Sequence, residues 1–377
     1  MNRNSIMSFL SSVVVLIVGL FIGFIILLIS DHTQAAPAFI RMLTSGVESM
    51  RNVGDVLLHA TPIILTGLSV AFAFKTGLFN IGATGQFTIG AFVAVYISIH
   101  ATFLPTTPRM IAAIFAAAIA GALWGAIPGL LKAYRNVHEV ISCIMTNYIA
   151  MFLVSYLVLN HIFNPSQGRG YPTPAEGRLP AWGLDAIFRT GARPSQVGAG
   201  IIIAIVIAIV VYIILEKTTF GYELKACGFN KDAAKYAGIN QNRNIVFSMM
   251  ICGALAGIGG ALTYMDGRGL TLDIVDSLLS YGFTGISVAF LGLNHPIGII
   301  FSGTLISYLT LGGARMQALG FSPEFVDIVI AIIIYFCAFV FLVKAMVGKS
   351  VGKLWKSKPP NEKVAMTEEK KDGGKTT

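Results

Sequence analysis

Apolar stretches of about 20 residues recur along almost the whole chain, separated by shorter polar connections. A helix of that length covers the hydrocarbon core of a bilayer, where only helices and closed barrels satisfy their own backbone. The runs are continuous rather than alternating, so they read as helices. Ten can be placed, near residues 9–30, 57–74, 80–100, 110–131, 139–159, 198–215, 245–265, 278–293, 297–312 and 326–346. Residues 31–56 form a mixed, partly amphipathic segment between the first two. Only 12% of residues are charged and mean hydropathy is +0.74, whereas water-soluble domains carry about 25% charge. The expected fold is an all-α polytopic membrane protein. The first run is longer than a signal-peptide core and reads as an uncleaved span.

The net charge of +9 does not point to nucleic acid, because its distribution follows the positive-inside rule. With the N-terminus inside, one face collects Arg3, Lys75, Lys132, Arg135, Lys217, Lys225, Lys231, Lys235, Arg243 and the lysine-rich tail. The other face holds arginines only, among them Arg41, Arg51, Arg109, Arg268 and Arg315. Both termini are therefore expected in the cytoplasm, the proline-rich loop of about 160–197 outside, and a polar island of about 216–243 inside. Residues 1–349 would form the transmembrane domain and 350–377 a disordered tail. Cys143, Cys227, Cys252 and Cys337 are far apart in sequence, so neither a disulfide nor a metal site is expected.

Three places are too polar for ordinary spans. Gly77–Phe92, GLFNIGATGQFTIGAF, carries Asn80, Gln86 and Thr88 among four glycines. Irregular or polar segments at membrane depth must be buried in protein or line a wet cavity. Close helix packing through the glycines would explain part of this, but Asn80 and Gln86 favour the lining of a transport path. The helix opening at His138 adds Asn147 and Tyr148 as further path candidates. Glu139 at its start can cap or snorkel. Gly282–Gly303 is interrupted at Gly292, Asn294, His295 and Pro296, with His295 a turn residue rather than a ligand. The first and third segments sit in corresponding places of two halves, a pattern that points to a transport path.

The island separates the early spans from the late ones. Gly221 and Gly228 bracket a short helical stretch. Asn230 is a good N-cap, and Gly238 can take the left-handed position that ends a second helix. Small residues and the half-polar Tyr222 and Tyr236 suit a docking surface for a cytoplasmic partner, although a plain connecting loop has a similar composition.

No energy-coupling chemistry is visible. Gly348-Lys349-Ser350 matches only the end of a phosphate loop and follows a membrane helix, with Val343 where glycine is required. There is no acid series for a proton relay, no catalytic residue and no cofactor motif. GLFNIGATGQFTIGAF, HEVISCIMTNYIA at 138–150, TTFGYELKACGFNKDAAKYAGI at 218–239 and GFTGISVAFLGLNHPIGI at 282–299 together resemble, in that order, bacterial ABC importer permeases of the sugar, nucleoside and branched-chain amino acid family. Purine-nucleoside systems with a BMP-type binding lipoprotein are the most similar. The resemblance covers about residues 55–345 and implies a type II importer fold. It also implies a second permease subunit, a separate cytoplasmic ATPase and an extracellular binding lipoprotein. The island would be the coupling element, with Gly221, Glu223, Ala234 and Gly238 at the ATPase contact. Nucleosides are the first expectation for solute. Simple sugars, branched-chain amino acids and a stand-alone secondary transporter remain alternatives.

Overall fold

The computed structural model describes residues 3–274, 276–337 and 339. The end of the tenth apolar run, the Gly348–Ser350 stretch and the tail 350–377 lie outside them. The chain runs through α1 (Arg3–Ser30), α2 (Ala35–Thr44), α3 (Met50–Lys75), α4 (Ala83–His100), α5 (Thr106–Arg135) and α6 (Glu139–His161). A loop follows with two small hairpins, β1 (Phe163–Asn164) with β2 (Arg169–Gly170) and β3 (Arg189–Thr190) with β4 (Arg193–Pro194), around the single turn α7 (Leu184–Ile187). Then come α8 (Gly200–Lys217), α9 (Thr219–Phe229), α10 (Lys231–Tyr236) and α11 (Gln241–Tyr264). The last helices are α12 (Tyr281–Leu291), α13 (Pro296–Ala314) and α14 (Pro323–Cys337).

Among the described residues, eight helices are long and apolar enough to cross a bilayer: α1, α3, α4, α5, α6, α8, α11 and the α13 stretch. The remaining two expected spans correspond to α14, described over 15 residues, and α12. The latter corrects the sequence reading. At 11 residues and about 1.5 Å per residue, α12 is a half-span, preceded by an irregular stretch. The mixed segment 31–56 also resolves, into α2 and the first turns of α3. Ser49 starts α3 by accepting the Asn52 N–H at 3.2 Å.

The bundle centres on α11, which packs on α5, α4 and α3. Glycines bring α5 and α11 into backbone contact: a Cβ on Gly253 would collide with the Gly121 carbonyl oxygen, and one on Gly121 with that of Gly253. The approach maximises dispersion contact where lipid offers no hydrophobic drive for helix pairing. The opposite face of α5 presents Ile111, Phe115, Ile119 and Leu123 outward, as lipid contact requires. A second apolar cluster joins α1, α2, α13, the 3-10 turn Arg315–Leu319 and α14 through Leu27, Met42, Leu309, Met316 and Val326.

Gly253→Val should force the α5–α11 seam apart. We expect a loss of about 1–3 kcal/mol, the usual cost of overpacking, read as a lower unfolding temperature in detergent. Leu123→Val on the outward face should change it by less than about 0.5 kcal/mol.

Candidate functional site

Two interrupted segments meet inside the bundle. α3 ends at Lys75, and Gly77 turns the chain back at φ +71°. Residues 78–82 then climb along α3 before α4 begins. Asn80 fixes the height of that climb. Its Nδ2 donates to Ser69 Oγ at 3.0 Å and to Gln86 Oε1 at 2.8 Å, and Gln86 Nε2 donates to Asn80 Oδ1 at 3.2 Å. Ser69 Oγ in turn donates to the Cys252 carbonyl of α11 at 2.7 Å. Asn147 of α6 closes the other side: its Oδ1 accepts the Gly85 N–H at 2.8 Å, and its Nδ2 donates to the Ile81 carbonyl at 3.0 Å.

Asn80, Gln86 and Asn147, predicted as path residues, are thus brought into one buried network. Thr88 lies two residues after Gln86 on α4, with its hydroxyl on the Thr84 carbonyl one turn back at 2.8 Å. Tyr148 does not join them; it is 47% exposed on another face of α6. Glu139 pairs with Lys132 at 2.8 Å, tying α6 to the end of α5.

The second segment is α12. Thr66 donates from Oγ1 to the Tyr281 carbonyl at 3.0 Å. Thr66 stands 16 residues after Met50 and nine before Lys75, about 24 Å and 14 Å along the α3 axis. The start of α12 is therefore well inside the bundle. There Gly282 lies directly against Thr84 at the start of α4, so closely that a Cβ would collide with Thr84 Oγ1. The Phe87 and Tyr281 rings stack beside this contact, with centroids 5.0 Å apart at 21°.

The sequence reading missed a third cluster, on the side of the 162–199 loop. Arg268 pairs with Asp266 at 2.5 Å and meets His59 Nδ1 of α3 at 3.2 Å. Burial raises the Asp266 carboxyl above its ordinary range, and the Arg268 partner opposes the rise. Nearby, Ser195 Oγ donates to Asp55 at 2.8 Å and Gly170 N–H to Asp273 at 2.9 Å, pinning the loop across the bundle end. The available signal was Asp266-Gly-Arg-Gly directly after an apolar run, which places charge where a span should end.

The island forms two helices, as its caps predict, though α9 runs through both Gly221 and Gly228. Thr218 accepts the Gly221 N–H at 3.1 Å and Asn230 the Ala233 N–H at 3.0 Å. Gly238 ends α10 at φ +80°, with its N–H on Lys235 and the Ile239 N–H on Ala234, both at 3.0 Å. Gly221 and Ala234 are buried, Glu223 is half-buried and holds Asn244 at 3.2 Å, and Gly238 is exposed. The outward surface is aromatic: Tyr222, Phe229 and Tyr236 are 70%, 90% and 94% exposed. On its inner side α9 touches the α3 turn, where a Cβ on Gly228 would lie 2.7 Å from the Lys75 carbonyl oxygen. Among the described residues no group of three or more His, Cys, Asp or Glu could hold a metal ion.

A family model described as branched-chain amino acid transport system / permease component matches residues 52–338. The guanosine ABC transporter permease protein NupP of Bacillus subtilis is 38% identical over 341 residues, 89% of this chain and 94% of that one. The nucleoside ABC transporter permease protein NupB of Lactococcus lactis is 35% identical over 353 residues, 92% and 95% of the two chains. The glucose ABC transporter permease protein TsgB13 of Haloferax volcanii is 29% identical over 317 residues, 82% of each. No solved structure matches the chain significantly.

Asn80→Leu should strand the Gln86 amide in an apolar interior. Each unsatisfied buried group costs about 1–3 kcal/mol, so thermal unfolding in detergent should shift downward by that equivalent. Tyr148→Leu, on an exposed surface, should leave the transition within about 0.5 kcal/mol of the unsubstituted chain.

Proposed function

Because the chain belongs to the branched-chain amino acid transport system / permease component family, we propose that it is the membrane-spanning permease subunit of an ABC importer whose solute is a nucleoside. One observation carries the solute: the two relatives at 38% and 35% identity, aligned over nearly their whole length, are named for guanosine and nucleosides. The glucose permease at 29% supports a sugar as the second reading. A buried network of amides and hydroxyls, with no net charge at Asn80, Gln86 and Asn147, suits a neutral polar solute under either reading. This chain supplies the path, with Asn80, Gln86, Thr88 and Asn147 as its buried polar positions and Tyr148 a separate one on the exposed face of α6, and ATP hydrolysis belongs to a separate cytoplasmic partner.

In this reading both termini and the island face the cytoplasm, and the 162–199 loop faces the binding lipoprotein outside. The α9–α10 pair seats in the ATPase through Tyr222, Phe229 and Tyr236. Gly221 and Ala234 set the close packing that shapes it, and Glu223 fixes it to α11. Its inner side is pressed on the Lys75–Gly77 turn, so ATPase closure reaches the interrupted segment through backbone. A second permease subunit completes the path.

Deleting the chain from its host should abolish ATP-dependent uptake of radiolabelled guanosine or adenosine, and re-expression should restore it. Loss of glucose or leucine uptake with nucleoside uptake intact would select another solute and leave the permease reading standing. Gly238→Pro removes an N–H that closes α10 and excludes φ +80°. It should cut co-purification of the ATPase several-fold with the permease still in the membrane. Undiminished co-purification would remove the island from the coupling role.

A further inference from the structure

Both helix starts that meet inside the bundle carry unmet hydrogen-bonding capacity. The residue before α12, Ser280, has helical dihedrals and gives no side-chain cap. Among the described residues nothing accepts the N–H groups of Tyr281, Gly282 or Phe283. α4 follows Gly82, which has no side chain to cap with, and Asn147 takes only the Gly85 N–H. Thr84 lies between the two starts. It is 0% exposed, and among the described residues its Oγ1 has no hydrogen-bond partner. A buried hydroxyl without a partner is destabilising, and this one lies against the first turn of α12.

These donors converge. Helix N-termini carry partial positive charge and exposed N–H groups, and favour electron-rich oxygen. Arg268, near the Tyr281 ring, is balanced by Asp266, so the cluster beside the junction adds no net charge. The Phe87–Tyr281 stack supplies a flat apolar wall. Donor-rich, uncharged and aromatic surroundings fit a neutral solute bearing hydroxyl or carbonyl oxygens and a planar ring. We propose that the α4–α12 junction is a contact point for the solute, where the Thr84 hydroxyl pairs with a ribose hydroxyl and the free N–H groups of the two helix starts receive further nucleoside oxygens when the junction parts. The proposal rests on the nucleoside-importer reading and adds Thr84, Tyr281 and Gly282 to the path. The contact between Gly282 and Thr84 closes the junction in this structure.

The test uses the complete transporter, with ATPase, companion permease and binding lipoprotein, in proteoliposomes. Uptake of guanosine and of its 2′-, 3′- and 5′-deoxy analogues is measured for the unsubstituted chain, Thr84→Val and Thr84→Ser. Thr84→Val keeps the shape and removes the hydroxyl; Thr84→Ser keeps the hydroxyl. Thr84→Val should lower guanosine uptake about tenfold, the usual worth of one hydrogen bond to a polar ligand group. It should lower uptake of at least one deoxy analogue by much less, and Thr84→Ser should retain guanosine uptake within about threefold. An equal loss on all four solutes, or no loss on any, overturns the contact, because a purely structural Thr84 cannot distinguish solutes. If the unsubstituted complex imports no nucleoside, the nucleoside reading fails and takes this assignment with it. That outcome is read from the unsubstituted complex alone, whereas the contact is read from the ratio between variants.

Discussion

A helix that starts inside a bilayer leaves peptide N–H groups with no water to turn to, and each costs free energy until something accepts it. Most of this architecture can be understood as the consequence of two such starts, at Ala83 and Tyr281. The first is held by side chains from elsewhere in the chain. Asn147 of α6 caps the first turn of α4 and braces the Ile81 carbonyl. Asn80 locks the climbing segment to Ser69 and Gln86. Ser69 passes the connection to α11. Four helices are registered to one another by one buried set of amides and hydroxyls, and none can shift along its axis without breaking bonds that lipid cannot replace.

The second start is treated differently. Thr66 anchors the Tyr281 carbonyl, yet among the described residues no side chain caps the N–H groups that follow. The contrast between a partly capped and an uncapped start is informative because the two touch each other. The glycine seam of α5 and α11 makes the surroundings of α4 unyielding. The α12 side is held by fewer bonds: an 11-residue helix follows an irregular stretch after Asp266 and Arg268.

The spans were legible because twenty apolar residues have one solution in a bilayer. The island was legible because Asn230 and Gly238 are local signals whose partners are within four residues. What stayed hidden depended on distance. The window around 278–293 is apolar enough to pass for a full span, and long-range contacts such as the bond from Thr66, 215 residues away, show how deep it begins. The His59–Arg268 contact joins residues 209 apart. The polarity of Asn80 and Gln86 was readable, but whether they face each other or an open path is a question of packing. Their mutual bonds account for most of that polarity in the closed arrangement.

The island and the buried network are nevertheless one mechanical unit. Gly228 at the end of α9 lies against the Lys75 carbonyl and the Gly77 backbone, with no side chain between them. A side chain at such a joint could change rotamer and absorb a displacement; two glycine backbones cannot. Gly77 also holds φ +71°, a turn geometry that glycine adopts without the steric cost a side chain would add. Any push on α9 therefore acts on the turn that carries Asn80. Asn80 reaches α3 and α4 at once through Ser69 and Gln86. The starts of α4 and α12 are in contact, so a movement that lifts or turns the first residues of α4 must alter the junction. The short route from an exposed aromatic surface to a deep, uncapped helix start follows from placing glycine at both sides of one contact.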